Sequence, residues 1–247
     1  IVDASQATKA IAGVVFEIPP GWHIYWQNPG DSGIPTRLEW QLPQGVSAST
    51  PQWPAPERID TDGLIGYGYR NQVVLPATLS YGAGKAPPSI DVKAHWLACR
   101  DMCIPESAEL TAPVTTTPES AKLLAHALAS VPSAFTGSAD LSATASTVTL
   151  TLTAKEPWPA FESARFSPTQ DGVIANNPPA TTQRQGDRLV LTFPRGSEAT
   201  TTALEGVLHL TVRGHEQALL VRTDRTETAL LSSDTLDPSP TVTSLPS

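Results

Sequence analysis

Prolines and glycines break this chain so often that no long helix can run through it. The 247 residues include 24 prolines and 16 glycines, and each proline removes a backbone donor and fixes φ near about −65°. Short alternating stretches survive between these breaks. Ile90, Val92, Ala94 and Trp96 alternate with Asp91, Lys93 and His95, the period of a half-buried strand. Leu38, Trp40 and Leu42 do the same against Arg37, Glu39 and Gln41. Further strands are expected over Gly13–Ile18, stopped by Pro19-Pro20-Gly21, over Trp22–Trp26, ended by Asn28-Pro29-Gly30, and over Val73–Leu79.

The pattern changes at residues 118–132. Thr117, Pro118 and Glu119 supply an N-cap, a first-turn proline and an acidic first turn. Leu124, Leu128 and Val131 then share one helical face before Pro132 ends the helix. Beyond it alternation returns in Val148–Leu152, Arg188–Phe193, Gly206–Arg213, Ala218–Val221 and Ala229–Leu231. Short strands at turn-punctuated spacing predict β-sandwiches. The expected order is a first sandwich over 1–117, a connecting helix over 118–132 and a second sandwich over 133–232. A Ser/Thr/Pro-rich linker over 233–247 follows, with the native protein continuing beyond it.

The only two cysteines are Cys99 and Cys103, at the end of the Ile90–Trp96 strand. Fully extended, four residue steps separate two Cα atoms by roughly 13 Å, whereas a disulfide needs roughly 4.4–6.8 Å. A bonded pair therefore requires a turn. Its loop is so short that closing it restricts the unfolded chain little, so thiol–disulfide exchange or soft-metal binding suits the pair better than architecture does. The spacing also rules out the long-range inter-sheet disulfide of antibody domains.

Composition narrows the classes further. The net charge of −8 is spread without a basic cluster, which argues against nucleic acid. No stretch approaches the roughly 18–20 apolar residues of a membrane span, and Ile1-Val2-Asp3 reads as a mature or trimmed start. Few lysines, many Ser, Thr and Pro residues and a close Cys pair fit an oxidising compartment such as a periplasm. No Ser-His-Asp order, phosphate loop, paired-carboxylate motif or zinc spacing emerges, and no cofactor is expected.

Three segments in order carry a resemblance: Gly21–Thr36, Gly66-Tyr67-Gly68, and Trp96-Leu97-Ala98-Cys99 with Cys103-Ile104-Pro105-Glu106. Together they resemble the periplasmic N-terminal region of DsbD-like thiol:disulfide interchange proteins. Ala164-Arg165-Phe166 and Gly172-Val173-Ile174 are weaker echoes. DsbD N-terminal domains place more residues between their cysteines, which favours the ScsB branch here. The resemblance implies an all-β chain of two tandem immunoglobulin-like sandwiches, ahead of transmembrane and thioredoxin-like domains tethered to the inner membrane. It implies a protein-disulfide reductase module whose Cys pair takes electrons from the thioredoxin-like domain. Those electrons then pass to a thioredoxin-fold periplasmic oxidoreductase or isomerase, ScsC-like in this branch. By the same resemblance Cys103 forms the intermolecular bond and Cys99 resolves it, and a loop near Ile65, Tyr67 and Tyr69 caps the cysteines.

Around the pair, Arg100 lowers and Asp101 raises a thiolate pKa, so the local charges nearly cancel. His95 alternates away from the Ile90–Trp96 face and is expected exposed beside the cysteines. Two alternatives to exchange stay open. Cys99, Cys103 and Met102, with His95 near, are soft ligands suited to Cu(I), as in a copper-tolerance protein, and an inert disulfide pinning a turn is the third. For the tyrosines, packing on a sheet is the alternative to a cap. Trp22, Trp26, Trp40 and Trp96 are expected in the core.

Overall fold

The computed structural model describes residues 1–197 and 203–223. Ten strands make up the first half: β1 (Val2–Asp3), β2 (Lys9–Glu17), β3 (His23–Gly30), β4 (Arg37–Gln41), β5 (Ser47–Ala48), β6 (Glu57–Thr61), β7 (Leu64–Tyr69), β8 (Gln72–Ser80), β9 (Ser89–Cys99) and β10 (Cys103–Pro113). One sheet runs β1-β2-β8-β5 and the other β10-β9-β3-β7-β6, with β4 paired to β9 beside the stretch that β3 takes up further along. Val14, Phe16 and Leu75 of the first sheet pack against Ile24, Trp26, Ile65, Val92 and Ala94 of the second. Strand alternation makes this work, because every second side chain faces the opposite sheet.

Helix α1 (Pro118–Ala129) begins where the cap signals place it, and Thr117 and Ser120 form a reciprocal capping box. It does more than connect. Leu124 and Ala127 pack on Val74, with Ile1, Ile11 and Val15 around them, and Ser120 Oγ donates to Val2 O at 2.8 Å. The helix thus covers the outer face of the β1-β2-β8-β5 sheet.

The second half holds β11 (Ser133–Ala134), β12 (Ser138–Ala143), β13 (Thr147–Thr153), β14 (Ser163–Pro168), β15 (Thr181–Gln185), β16 (Arg188–Pro194), β17 (Glu205–Val212) and β18 (His215–Arg222). They form sheets ordered β11-β18-β17-β14 and β12-β13-β16-β15. Leu150, Leu152, Leu189, Leu191, Leu208 and Leu210 fill the space between them. The chain is mostly strand, two antiparallel-rich sandwiches of immunoglobulin-like type in tandem. The expected strand Ala229–Leu231 and the linker over 233–247 lie outside the described residues.

Three local expectations change. β3 does not end at Trp26 but runs through Asn28-Pro29-Gly30, with its register against β7 shifting between Tyr25 and Gly30. The segment expected as a loop at residues 62–69 is the second strand of a hairpin, turned at Asp62 and Gly63 with φ of 53° and 89°. β10, a long edge strand with mostly exposed side chains, has no clear alternation in sequence and was not expected.

Candidate functional site: a disulfide at a hairpin tip

The cysteines face each other across the β9–β10 ladder. Cys103 is the register partner of Cys99, and the Cα atoms stand 4.1 Å apart with the two sulfurs bonded. Arg100, Asp101 and Met102 make the turn, closed by Arg100 N–H donating to Met102 O at 3.1 Å. The strand thus supplies the curl that the spacing required.

The two sulfurs sit in unlike surroundings. Cys99 is 2% exposed, whereas Cys103 is exposed. On β9, Val92 and Ala94 join the inter-sheet core with Trp96 and Ala98 packed against it, so Leu97 and Cys99 belong to the outer face. There they cluster with Tyr25, whose hydroxyl donates to Cys99 Sγ at 3.4 Å. His23, the register partner of Cys99, lies edge-on to Tyr25 with ring centroids 5.2 Å apart. Burial, and secondarily the Arg70 charge, push the His23 pKa down, so its ring is neutral near pH 7.

Tyr25 and His23 were missed from the sequence. Both sit in a stretch read only as a strand, and period two shows that His23 and Tyr25 share a face without showing which strand's residues lie across from them. The residues proposed as a cap are elsewhere. Ile65, Tyr67 and Tyr69 are buried on β7 in the inter-sheet core, the face opposite Cys99. Tyr69 donates to Pro54 O at 2.8 Å and Tyr67 to Asn176 Oδ1 at 3.0 Å, and burial raises both phenol pKa values well above the ordinary range. Their aromatic bulk packs in the core because alternation on β7 turns it inward, the sheet-packing alternative to a cap.

Arg100 pairs with Asp101, at 2.8 Å, and lies over the Trp22 ring, 5.3 Å from its guanidinium carbon. Charge cancellation in the turn is therefore a matter of direct pairing. His95 shares the outer face but stands four residues from Cys99, about 13 Å along the strand. It lies 3.9 Å from Glu39 and lines a groove with Ile34, Pro35, Leu97 and Pro105. Met102 is 67% exposed at the turn. Among the described residues, no three His, Cys, Asp or Glu side chains are grouped to share a metal ion. Trp26 is buried in the core, with Trp22, Trp40 and Trp96 half-buried against it.

The first sandwich, including this hairpin, matches a family model. Residues 1–115 match the N-terminal domain of the thiol:disulfide interchange protein DsbD. Among solved structures, the N-terminal periplasmic domain of ScsB from Proteus mirabilis superposes with a TM-score of 0.69 at 18% identity, covering 91% of each chain. That likeness extends the shared fold through the second sandwich. No match is found among curated proteins. The matched segment contains Cys99 and Cys103, the one cysteine pair of the chain, and the family it is similar to is named for thiol:disulfide interchange. No helix among the described residues is long and apolar enough to cross a membrane.

Proposed function

We propose that the chain is a periplasmic reductase module whose Cys99–Cys103 pair passes two electrons to a thioredoxin-fold oxidoreductase or isomerase of the ScsC type. The observation that carries this reading is the asymmetry of the pair: an exposed Cys103 at a hairpin tip and a buried Cys99 under a tyrosine hydroxyl. In the dithiol state, the Cys103 thiolate attacks one sulfur of the partner's disulfide, and the partner's other sulfur leaves as a thiolate. Cys99, deprotonated in turn, attacks Cys103 Sγ and expels the partner. The products are the Cys99–Cys103 disulfide and a reduced partner carrying two electrons and two protons.

Recharging runs the same chemistry in reverse. A thiolate of the thioredoxin-like domain, the expected electron source within the inner-membrane-tethered full-length protein, attacks Cys103 and releases Cys99 as a thiolate. Tyr25 is placed to donate to that thiolate, and a hydrogen bond to a charged acceptor is stronger than one to a disulfide sulfur. Ile104 (37% exposed) and Met102 give the partner apolar contact area beside Cys103.

The test is a trap. Cys99→Ser should accumulate a mixed disulfide through Cys103 with a thioredoxin-fold partner, and Cys103→Ser should not. A reduction potential below about −300 mV, the range of structural disulfides, together with no trapped species, sinks the proposal. Cu(I) titration of the reduced protein separates the copper reading: stoichiometric tight binding without protein-disulfide exchange would replace the relay with a carrier.

A further inference from the structure

The loop Asp31–Thr36, between β3 and β4, lies over Tyr25. A Cβ built on Gly33, whose φ is 105°, falls 2.4 Å from Tyr25 Cζ, so only glycine lets the backbone approach the ring this closely. Thr36 Oγ1 donates to Tyr25 O at 2.7 Å, at the loop's far end. At its near end the loop is held by the second sandwich. Asn28 Nδ2 donates to Pro168 O at 2.8 Å while its Oδ1 accepts from Gly30 N–H at 3.0 Å. Asn176 Nδ2 donates to Asp31 Oδ1 at 2.7 Å, and Asn176 Oδ1 accepts from Tyr67 at 3.0 Å. Asp31 Oδ2 accepts from Ile65 N–H at 2.7 Å. One amide thus joins the second sandwich to the loop and to the core tyrosine below it.

We propose that Asn176 is a positioning residue for the redox site: through Asp31 it fixes the loop that packs on Tyr25, and thereby the meeting of the Tyr25 hydroxyl with Cys99. This rests on the redox reading above for its biological use. The second sandwich, which carries no cysteine, then acts on the exchange reaction without touching a sulfur. Attack falls on exposed Cys103, so the loop matters for the release of Cys99, the step Tyr25 assists.

The network allows a swap that keeps every hydrogen bond. In Asn176→Asp alone, two carboxylates meet and the donor to position 31 is lost. In the Asp31→Asn/Asn176→Asp double variant, the new amide at 31 accepts from Ile65 N–H and donates to the carboxylate at 176, which still accepts from Tyr67. The measurement is the rate at which dithiothreitol reduces the Cys99–Cys103 disulfide at pH 7. It reads the coupling whether or not a protein partner exists, so it fails independently of the relay. Asn176→Asp is expected to slow reduction roughly threefold, the scale of one weakened hydrogen bond. The swap restores the parent rate, and Asn176→Asp in a Tyr25→Phe background adds nothing. An unchanged or faster rate, no recovery in the swap, or the same loss without the Tyr25 hydroxyl overturns the proposal. If Asn176→Asp proves poorly folded, Asn176→Ala and the swapped pair carry the same comparison.

Discussion

The two sandwiches share a plan and differ in what their outer faces carry. Each closes alternating aliphatic side chains between two sheets, with Leu75 and Leu79 fully buried in the first and Leu150, Leu152, Leu189 and Leu191 in the second. In the first, one outer face holds Tyr25, Leu97 and Cys99 below a hairpin whose tip is open to solvent. In the second, the β14–β17–β18 face turns Val207 and Ala218 toward the first core and carries a polar row beside them. There Ser167 Oγ lies 3.2 Å from His209 Nε2, and His209 Nδ1 lies 2.6 Å from Glu216 Oε1. The order Ser–His–Glu looks catalytic, yet Ser167 and His209 are 1% and 2% exposed. With Ser167 and His209 closed off from solvent and only Glu216 at the surface, that row ties together neighbouring strands of one sheet, whereas the Cys pair meets solvent through Cys103. Exposure of one cysteine, rather than residue type, sets the proposed redox pair apart from that row.

The largest test of this contrast is Cys103→Ser. It should abolish protein-disulfide exchange while costing only about 2 kcal/mol of stability, the chain-entropy value for so small a loop; a stability loss well beyond that in urea titration would make the pair architectural. Leu150→Ala should destabilise the second sandwich by about 2–5 kcal/mol, as truncation of a fully buried leucine does. Leu75→Ala should do the same to the first, so equal losses in chemical denaturation would bear out the shared plan.

Tyr25→Phe should slow dithiothreitol reduction roughly fivefold, about 1 kcal/mol of leaving-thiolate stabilisation. Because the phenylalanine keeps the packing against Gly33, its urea midpoint should barely move. If rate and stability instead fall together, Tyr25 is packing alone.

Acid should weaken both sandwiches, through His23 in the first and His209 in the second. Burial lowers the His209 pKa below its ordinary 6.5, so the unfolded chain binds a proton that the folded one refuses, and stability falls as pH drops below that value. Glu216 acts in the same direction at lower pH. Its hydrogen bond with His209, ahead of the Arg165 charge, brings its pKa down to about 2, so the stability it confers is lost as pH falls from 4.5 toward 2. The distances fit a neutral His209 that donates from Nδ1 to Glu216 and accepts from Ser167 at Nε2. His209→Gln should reduce the fall of the urea midpoint between pH 7.5 and 5, leaving the share that His23 contributes. The smallest effect belongs to Arg100→Ala, within about 0.5 kcal/mol, because its pairing with Asp101 is solvent-exposed.

Sequence determined what local periodicity and covalent reach can encode. Ile90–Trp96, Val148–Leu152 and Leu189–Phe193 are strands because side-chain period two is written residue by residue. Thr117-Pro118 starts a helix because capping is settled within one turn. The close Cys pair demanded a turn on chain geometry alone. β10 escaped notice because an edge strand exposed on both faces has no buried row to impose alternation. The β6–β7 hairpin was masked by glycines that read as loop, although Gly68 is needed where a Cβ would come 2.1 Å from Ile24 O. Tertiary structure alone decided that Tyr25 meets Cys99 across 74 positions of chain, that Tyr67 faces the core, and that Asn176 reaches Asp31. Those contacts depend on strand order and register, which are set by the summed burial of both sheets. No single segment's pattern contains that sum.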